Sequence, residues 1–265
     1  MSGEGPVTYS VDGTTATVTL DRQERRNALD AESLQALLDA LDRAADDDSV
    51  RTVVLTGAGT TFCSGADLRG TEDDGGAAFA QTGPRLMVQV LEALLDHPKP
   101  TIARVQGHVA GGGNGLVAAC DLAVAVEEAM FAFAEVRVGV APAVISVVCL
   151  RVMRPRDAAQ LMLTGARVPA ARMVDAGLLT AVVPAVALDA TVGAWCTELV
   201  AGGPDAVRET KQLLRTVPSL PRDEAFAYTA DVSARLFASR ESAEGRAAFA
   251  ERRPPSWVRG TPPNG

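Results

Sequence analysis

The sequence predicts an α/β fold, with helices packed on sheets and an all-helical stretch towards the C-terminal end. Three observations carry that prediction. Strand-like apolar runs alternate with amphipathic helical stretches from Val7 to about Val183. Two glycine-rich turns, Phe62-Cys63-Ser64-Gly65-Ala66-Asp67-Leu68 and Gly107-His108-Val109-Ala110-Gly111-Gly112-Gly113-Asn114-Gly115, each stand where a strand ends and a helix begins. Beyond Val183 the strand signal disappears, and helical segments punctuated by Pro218, Pro221, Pro254 and Pro255 follow.

Val7 to Leu20 alternates apolar and polar residues around Asp12-Gly13, which predicts a β-hairpin with a tight turn. Asp30 is placed to cap a helix with the apolar stripe Leu34, Leu37, Leu38 and Leu41, which Asp46-Asp47-Asp48 ends. A strand is expected over 50–56. The acid- and glycine-rich stretch 70–76 reads as mobile, and a helix carrying Leu86, Val90, Leu91, Leu94 and Leu95 follows it. Strands are expected at 101–105, 122–126 and 130–133, with a short buried helix around 116–120. The closing helices are expected over 186–201, 205–216, 222–238 and 241–251. Phe226, Leu236, Phe237 and Phe249 give them apolar faces that so small a region cannot fully bury alone.

With 265 residues, 47% hydrophobic and 22% charged, the chain has an ordinary globular balance and enough length for a sizeable core. A formal net charge of −8 argues against a nucleic-acid surface. No apolar run approaches the ~20 residues of a membrane span. The opening residues Met1 to Pro6 carry neither a basic nor an apolar signal region, so a cytoplasmic protein is expected. Cys63, Cys120, Cys149 and Cys196 include no CxxC pair, which points to reduced thiols. With only two histidines, no metal site is expected.

Glycine lets backbone approach a ligand closely, and a helix N-terminus leaves amide N–H groups without intrahelical partners. Two such turns facing each other can aim two N–H donors at one oxygen, the arrangement of an oxyanion hole. Other readings fail on spacing: a dinucleotide fingerprint from Gly111 would need glycine where Leu116 stands, and neither a phosphate loop nor a nucleophile elbow occurs. Tight strand-to-helix connections with no further role remain the alternative.

At this point the residues carry a family resemblance over nearly the whole chain. Leu20 to Asp30, Phe62 to Leu68, Pro98 to Ala103 with Gly107, Gly111 to Gly113 with Cys120-Asp121-Leu122, and Phe133 to Val136 with Gly139 and Pro142 occur in the order and spacing of the enoyl-CoA hydratase/isomerase (crotonase) superfamily, which the chain resembles. Asp21 and Gln23 depart from the family's Asn and Pro. The resemblance implies a spiral of repeated β-β-α units over residues 1–195, holding the acyl-CoA site, and a helical oligomerisation region over 196–265 that packs as trimers or hexamers.

It also implies roles. Backbone N–H groups of Ala66 and Gly112 take the place of the oxyanion-hole donors, and Glu135 takes the place of the second of two family glutamates. The position of the first is Gly115, a departure. Coenzyme A is implied as part of the substrate, with no separate cofactor. Arg25 takes the place of a basic residue for its phosphates, with Arg22 and Arg26 as alternatives. Ala28, Ser64, Asp67, Leu68 and Gly111 fall in the substrate-binding segments, Asp67 more as a brace of its turn than as a contact. His108 reads as a packed turn histidine or a pocket-lining one. Arg252 and Arg253 read as a solvated helix end or a reach to a neighbouring subunit's coenzyme A. The stretch 70–82 reads as a cover over the acyl chain.

Val144-Ile145-Ser146 after Pro142-Ala143 resembles hydratases of branched unsaturated acyl-CoAs, which keeps hydration ahead of isomerisation. The expectation is therefore an enoyl-CoA hydratase, a lyase of fatty acid metabolism. Enoyl-CoA isomerase, acyl-CoA decarboxylase and a non-catalytic acyl-CoA-binding relative are the alternatives. A serine hydrolase is rejected, since neither Ser64 nor Ser146 has a His/Asp relay in the sequence.

Overall fold

The computed structural model describes residues 5–67 and 77–258, without the side chains of 77–81. The opening hairpin forms from β1 (Val7–Asp12) and β2 (Thr15–Leu20), paired antiparallel from Val7 opposite Leu20 to Asp12 opposite Thr15. Gly13, at φ +55°, makes the turn. Asp30 caps α1 (Ala31–Asp46) by accepting a 2.8 Å bond from Ser33 N–H.

The chain then repeats one move. A first strand enters a six-stranded sheet, a short second strand enters a four-stranded sheet, and a helix returns the chain. The repeats are β3 (Thr52–Gly57) with β4 (Thr61–Cys63) and α2 (Ala77–Asp96), then β5 (Thr101–Val105) with β6 (His108–Ala110) and α3 (Gly112–Ala119). A third pair, β7 (Leu122–Val126) and β8 (Met130–Ala132), leads into a 3-10 helix over Ala134–Val138. The large sheet has the order β1-β2-β3-β5-β7 and closes on β10 (Ala181–Val183); the small one has the order β4-β6-β8 and closes on β9 (Arg167–Pro169). Pairing is parallel except β1 with β2 and β8 with β9. This is the expected spiral of β-β-α units.

Between β8 and β10 run α4 (Ala143–Val152), α5 (Pro155–Thr164) and α6 (Ala170–Ala176), which, like β9, the sequence pattern did not separate. The reason is visible in α4: seven of its ten residues are Val, Ile, Leu or Cys, so no polar face marks the helical period. The first strand after α1 starts at Thr52, two residues later than expected, because Asp47 to Arg51 turn the chain before the ladder begins.

The closing helices are α7 (Leu188–Ala201), α8 (Pro204–Thr216), α9 (Arg222–Phe237) and α10 (Arg240–Glu251). Residue 195 falls inside α7, whose Leu188, Val192 and Cys196 are buried in the same core as the sheets. Phe226, Phe237 and Phe249 are exposed, whereas Leu236 is half-buried. No single helix among the described residues is long and apolar enough to cross a membrane. All four cysteines are buried and free, and burial pushes the Cys63 and Cys120 thiols up to about 12.

Candidate active site

Strands β4, β6 and β8 lie side by side and parallel, so three successive turns of the spiral deliver their strand ends to one place. Cys63 pairs with Val109, and Ala110 pairs with Ala132. Beyond those ends come Ser64-Gly65-Ala66, Gly111-Gly112 and Phe133-Ala134-Glu135.

The first two turns touch. Gly65 (φ +90°) and Gly111 (φ +51°) lie back to back, and a Cβ on either would stand 3.3 Å from the other's Cα. A Cβ on Gly65 would also come within 3.1 Å of Ala110 O. Side chains at these positions would push the turns apart, and the positive φ values disfavour any L-residue.

Ala66 and Gly112 follow these glycines. Leu29 N–H donates to Gly65 O and Asp67 N–H donates to Leu29 O, both at 2.8 Å, forming a parallel bridge between Leu29 and Ala66. That bridge turns the N–H of Ala66 to the opposite side, where no acceptor among the described residues meets it. Gly112 opens α3, and its N–H likewise has no acceptor among the described residues.

Glu135 is half-buried in the 3-10 helix beyond β8. Its Oε1 lies 3.6 Å from the point where a Cβ on Gly111 would stand, and Oε2 is buried with no hydrogen-bond partner among the described residues. Burial raises its carboxyl pKa above the ordinary glutamate value, because desolvation penalises the charged form. A carboxyl shifted upward beside two unpartnered N–H donors can move protons at a carbon whose neighbouring oxygen those donors hold.

The position of the absent first glutamate is closed. A Cβ on Gly115 would stand 2.5 Å from Ile145 Cγ2, 2.9 Å from Ile145 Cβ and 3.3 Å from Met87 Cε. Ile145 of α4 and Met87 of α2 fill that side with apolar groups, and both are buried. Glu135 is thus the carboxylate that the end of β8 brings against Gly111. Sequence reading missed Ile145 and Met87 as wall residues, because the contact joins three helices. The only local signal was glycine inside a helix, where it costs about 1 kcal/mol relative to alanine.

The remaining expected residues sort by geometry. Arg22 is a brace: it donates to Ala28 O at 2.8 Å and pairs with Asp30 (2.9 Å) and Asp67 (3.3 Å). Asp67 is held in its turn by that pair. Ser64 Oγ reaches Arg25 O at 3.4 Å, and Ala28 is buried. Arg25 and Arg26 are exposed and make no ion pair among the described residues. His108 is neither a packed turn residue nor buried: it opens β6 and is exposed, with Nδ1 accepting from Met130 N–H at 3.1 Å. Arg253 is tied to Glu244 and Glu251, and Arg252 closes α10 at φ +55°. Leu68 and residues 70–76 of the expected cover lie outside the described residues. Among the described residues, no cluster of His, Cys, Asp and Glu could hold a metal ion.

Known proteins agree with this architecture. The family model described as enoyl-CoA hydratase/isomerase matches residues 11–260. A protein of Thermus thermophilus, provisionally named an enoyl-CoA hydratase, is 36% identical over 247 residues, covering 92% of this chain and 98% of its own. The Mycobacterium tuberculosis enoyl-CoA hydratase EchA19 is 34% identical over 256 residues, covering 92% and 93%. The crystal structure of an enoyl-CoA hydratase from Mycobacterium smegmatis superposes with a TM-score of 0.90 at 32% identity, over 96% of this chain and 99% of that one.

Proposed function

The chain belongs to the enoyl-CoA hydratase/isomerase family, whose members act on acyl-CoA thioesters, and on that premise we propose that it hydrates a 2-enoyl-CoA. The thioester oxygen sits between the N–H groups of Ala66 and Gly112, and coenzyme A enters as part of the substrate. Glu135 takes a proton from water as the water oxygen bonds to C3. The electron pair of the C2=C3 bond moves towards the thioester oxygen, forming an enolate. The enolate then takes a proton from the Glu135 carboxylic acid at C2, leaving a 3-hydroxyacyl-CoA. Charge grows on the oxygen during this step, so fixed N–H dipoles favour the transition state over the ground state. One observation supports the reading: the contact of Gly65 with Gly111 leaves two adjacent turns whose Ala66 and Gly112 N–H groups have no acceptor among the described residues, with the Glu135 carboxyl against Gly111.

A second reading has its own observation. The apolar wall of Ile145 and Met87 behind Gly115 suits isomerisation, in which Glu135 alone takes a proton from C2 of a 3-enoyl-CoA and returns it at C4. Acyl-CoA decarboxylation and non-catalytic acyl-CoA binding are the further outcomes. The exposed Phe226, Phe237 and Phe249 support assembly into a trimer or hexamer through the closing helices. The test is mass analysis of products from a panel of 2-enoyl-CoAs, with wild type beside Glu135→Gln. Gain of one water by wild type and its loss in the variant is the expected result. No water gained while acyl-CoA still binds would overturn hydration and direct the next panel to 3-enoyl and carboxylated acyl-CoAs.

A further inference from the structure

We propose that Asn114 is a positioning residue that aims the Gly112 N–H at the thioester oxygen, an inference that rests on the oxyanion-hole reading of Ala66 and Gly112. Asn114 is completely buried in the first turn of α3. Its Nδ2 donates to Gly111 O at 3.2 Å and to Ala132 O at 2.9 Å. Two carbonyls on one side of the amide leave a single orientation for it, with NH2 facing them, while Oδ1 has no partner among the described residues.

Those two carbonyls belong to the two segments the chemistry needs. Gly111 O and Gly112 N–H are opposite ends of one peptide group, which is trans and planar, so whatever holds the oxygen also sets the direction of the N–H. Gly111, at φ +51° and ψ −126°, is in a conformation from which glycine can swing readily, and only its neighbours restrain that plane. The restraint comes from Asn114 twice: its backbone N–H donates to Gly111 O at 2.9 Å, and its side chain adds the second bond. A donor on the carbonyl also polarises the peptide and strengthens the N–H at its far end. Ala132 ends β8, three residues before Glu135, and it also accepts from Gly111 N–H at 3.1 Å. The Asn114 amide therefore locks the donor turn to the strand that delivers the carboxylate.

The experiment reads the carbonyl directly. The infrared stretch of butyryl-CoA carrying 13C at its thioester carbonyl is compared free and bound, beside kcat and KM for the best 2-enoyl-CoA. In wild type and in Glu135→Gln the bound stretch falls below that of the free ligand. In Asn114→Leu it returns towards the free value, kcat falls about 10–100-fold, short of the roughly 10²–10³-fold of deleting a donor, and KM stays within about threefold. Asn114→Ser, whose hydroxyl can reach the Gly111 carbonyl three residues back, recovers much of both signals. If the leucine variant does not fold, Asn114→Ala carries the same comparison. A lowered stretch and wild-type kcat in the folded variant would overturn the role of Asn114 alone. No lowering in wild type would overturn the oxyanion-hole reading and this inference with it.

Discussion

The packing of Gly115 against Ile145 makes a quantitative prediction that needs no substrate. Gly115→Ala adds a methyl 2.5 Å from Ile145 Cγ2 and 2.9 Å from Ile145 Cβ, where carbon pairs prefer about 3.5–4.0 Å. Overpacking of this kind costs about 1–3 kcal/mol, offset by the roughly 1 kcal/mol that alanine contributes over glycine in a helix. The single variant should lie between no change and a loss of about 2 kcal/mol. Ile145→Ala empties a buried site and should cost about 2–5 kcal/mol. In the double variant the Cγ2 clash is gone and the new methyl fills part of the vacated space. It should therefore be more stable than the sum of the singles by about 1 kcal/mol or more, within the range of roughly 0.5–3 kcal/mol for residues in contact. Urea unfolding at one fixed protomer concentration measures the cycle, since self-association, where it occurs, makes stability concentration-dependent. Additivity within about 0.5 kcal/mol, or stabilisation by Gly115→Ala alone, would refute the packing argument.

Three further outcomes follow from the site. Burial raises the Glu135 carboxyl, so the folded chain keeps that proton to higher pH than the unfolded one; its contribution is present below the ordinary glutamate range and lost as pH rises through the folded value. Glu135→Gln should therefore be more stable than wild type on the alkaline side, with the gap closing on acidification, and identical stability–pH curves would contradict the desolvation account. Arg22→Ala removes charge-assisted bonds to Ala28, Asp30 and Asp67 and should cost about 1.5–3 kcal/mol in chemical unfolding. Arg25→Ala, at an exposed position, should leave stability within about 0.5 kcal/mol. Its KM for acyl-CoA should rise about tenfold, one charge-assisted phosphate contact, and an unchanged KM across ionic strengths would remove Arg25 from the phosphate site.

Much of the architecture was legible in the chain because its signals are local. The hairpin register follows from alternation and a two-residue turn, α1 begins at the residue whose side chain can cap it, and the glycines of both turns announce backbone that no other residue adopts easily. The segment from Pro142 to Pro169 was not legible, because α4 carries apolar residues on its exposed as well as its buried side and β9 is three residues long. The site divides in the same way. Glu135, Ala66 and Gly112 could be named as candidates from the family resemblance, whereas Arg22 as a brace, Ile145 and Met87 as the wall behind Gly115, and the bonds of Asn114 to Gly111 and Ala132 could not. Each of those depends on which strand end lies beside which, set by β4, β6 and β8 pairing across some 70 residues of chain, from Thr61 to Ala132. A sequence states which groups it carries and which turns its backbone can make; distances between groups far apart in the chain exist only once the sheets have stacked and the helices between them have chosen which side chains fill the space.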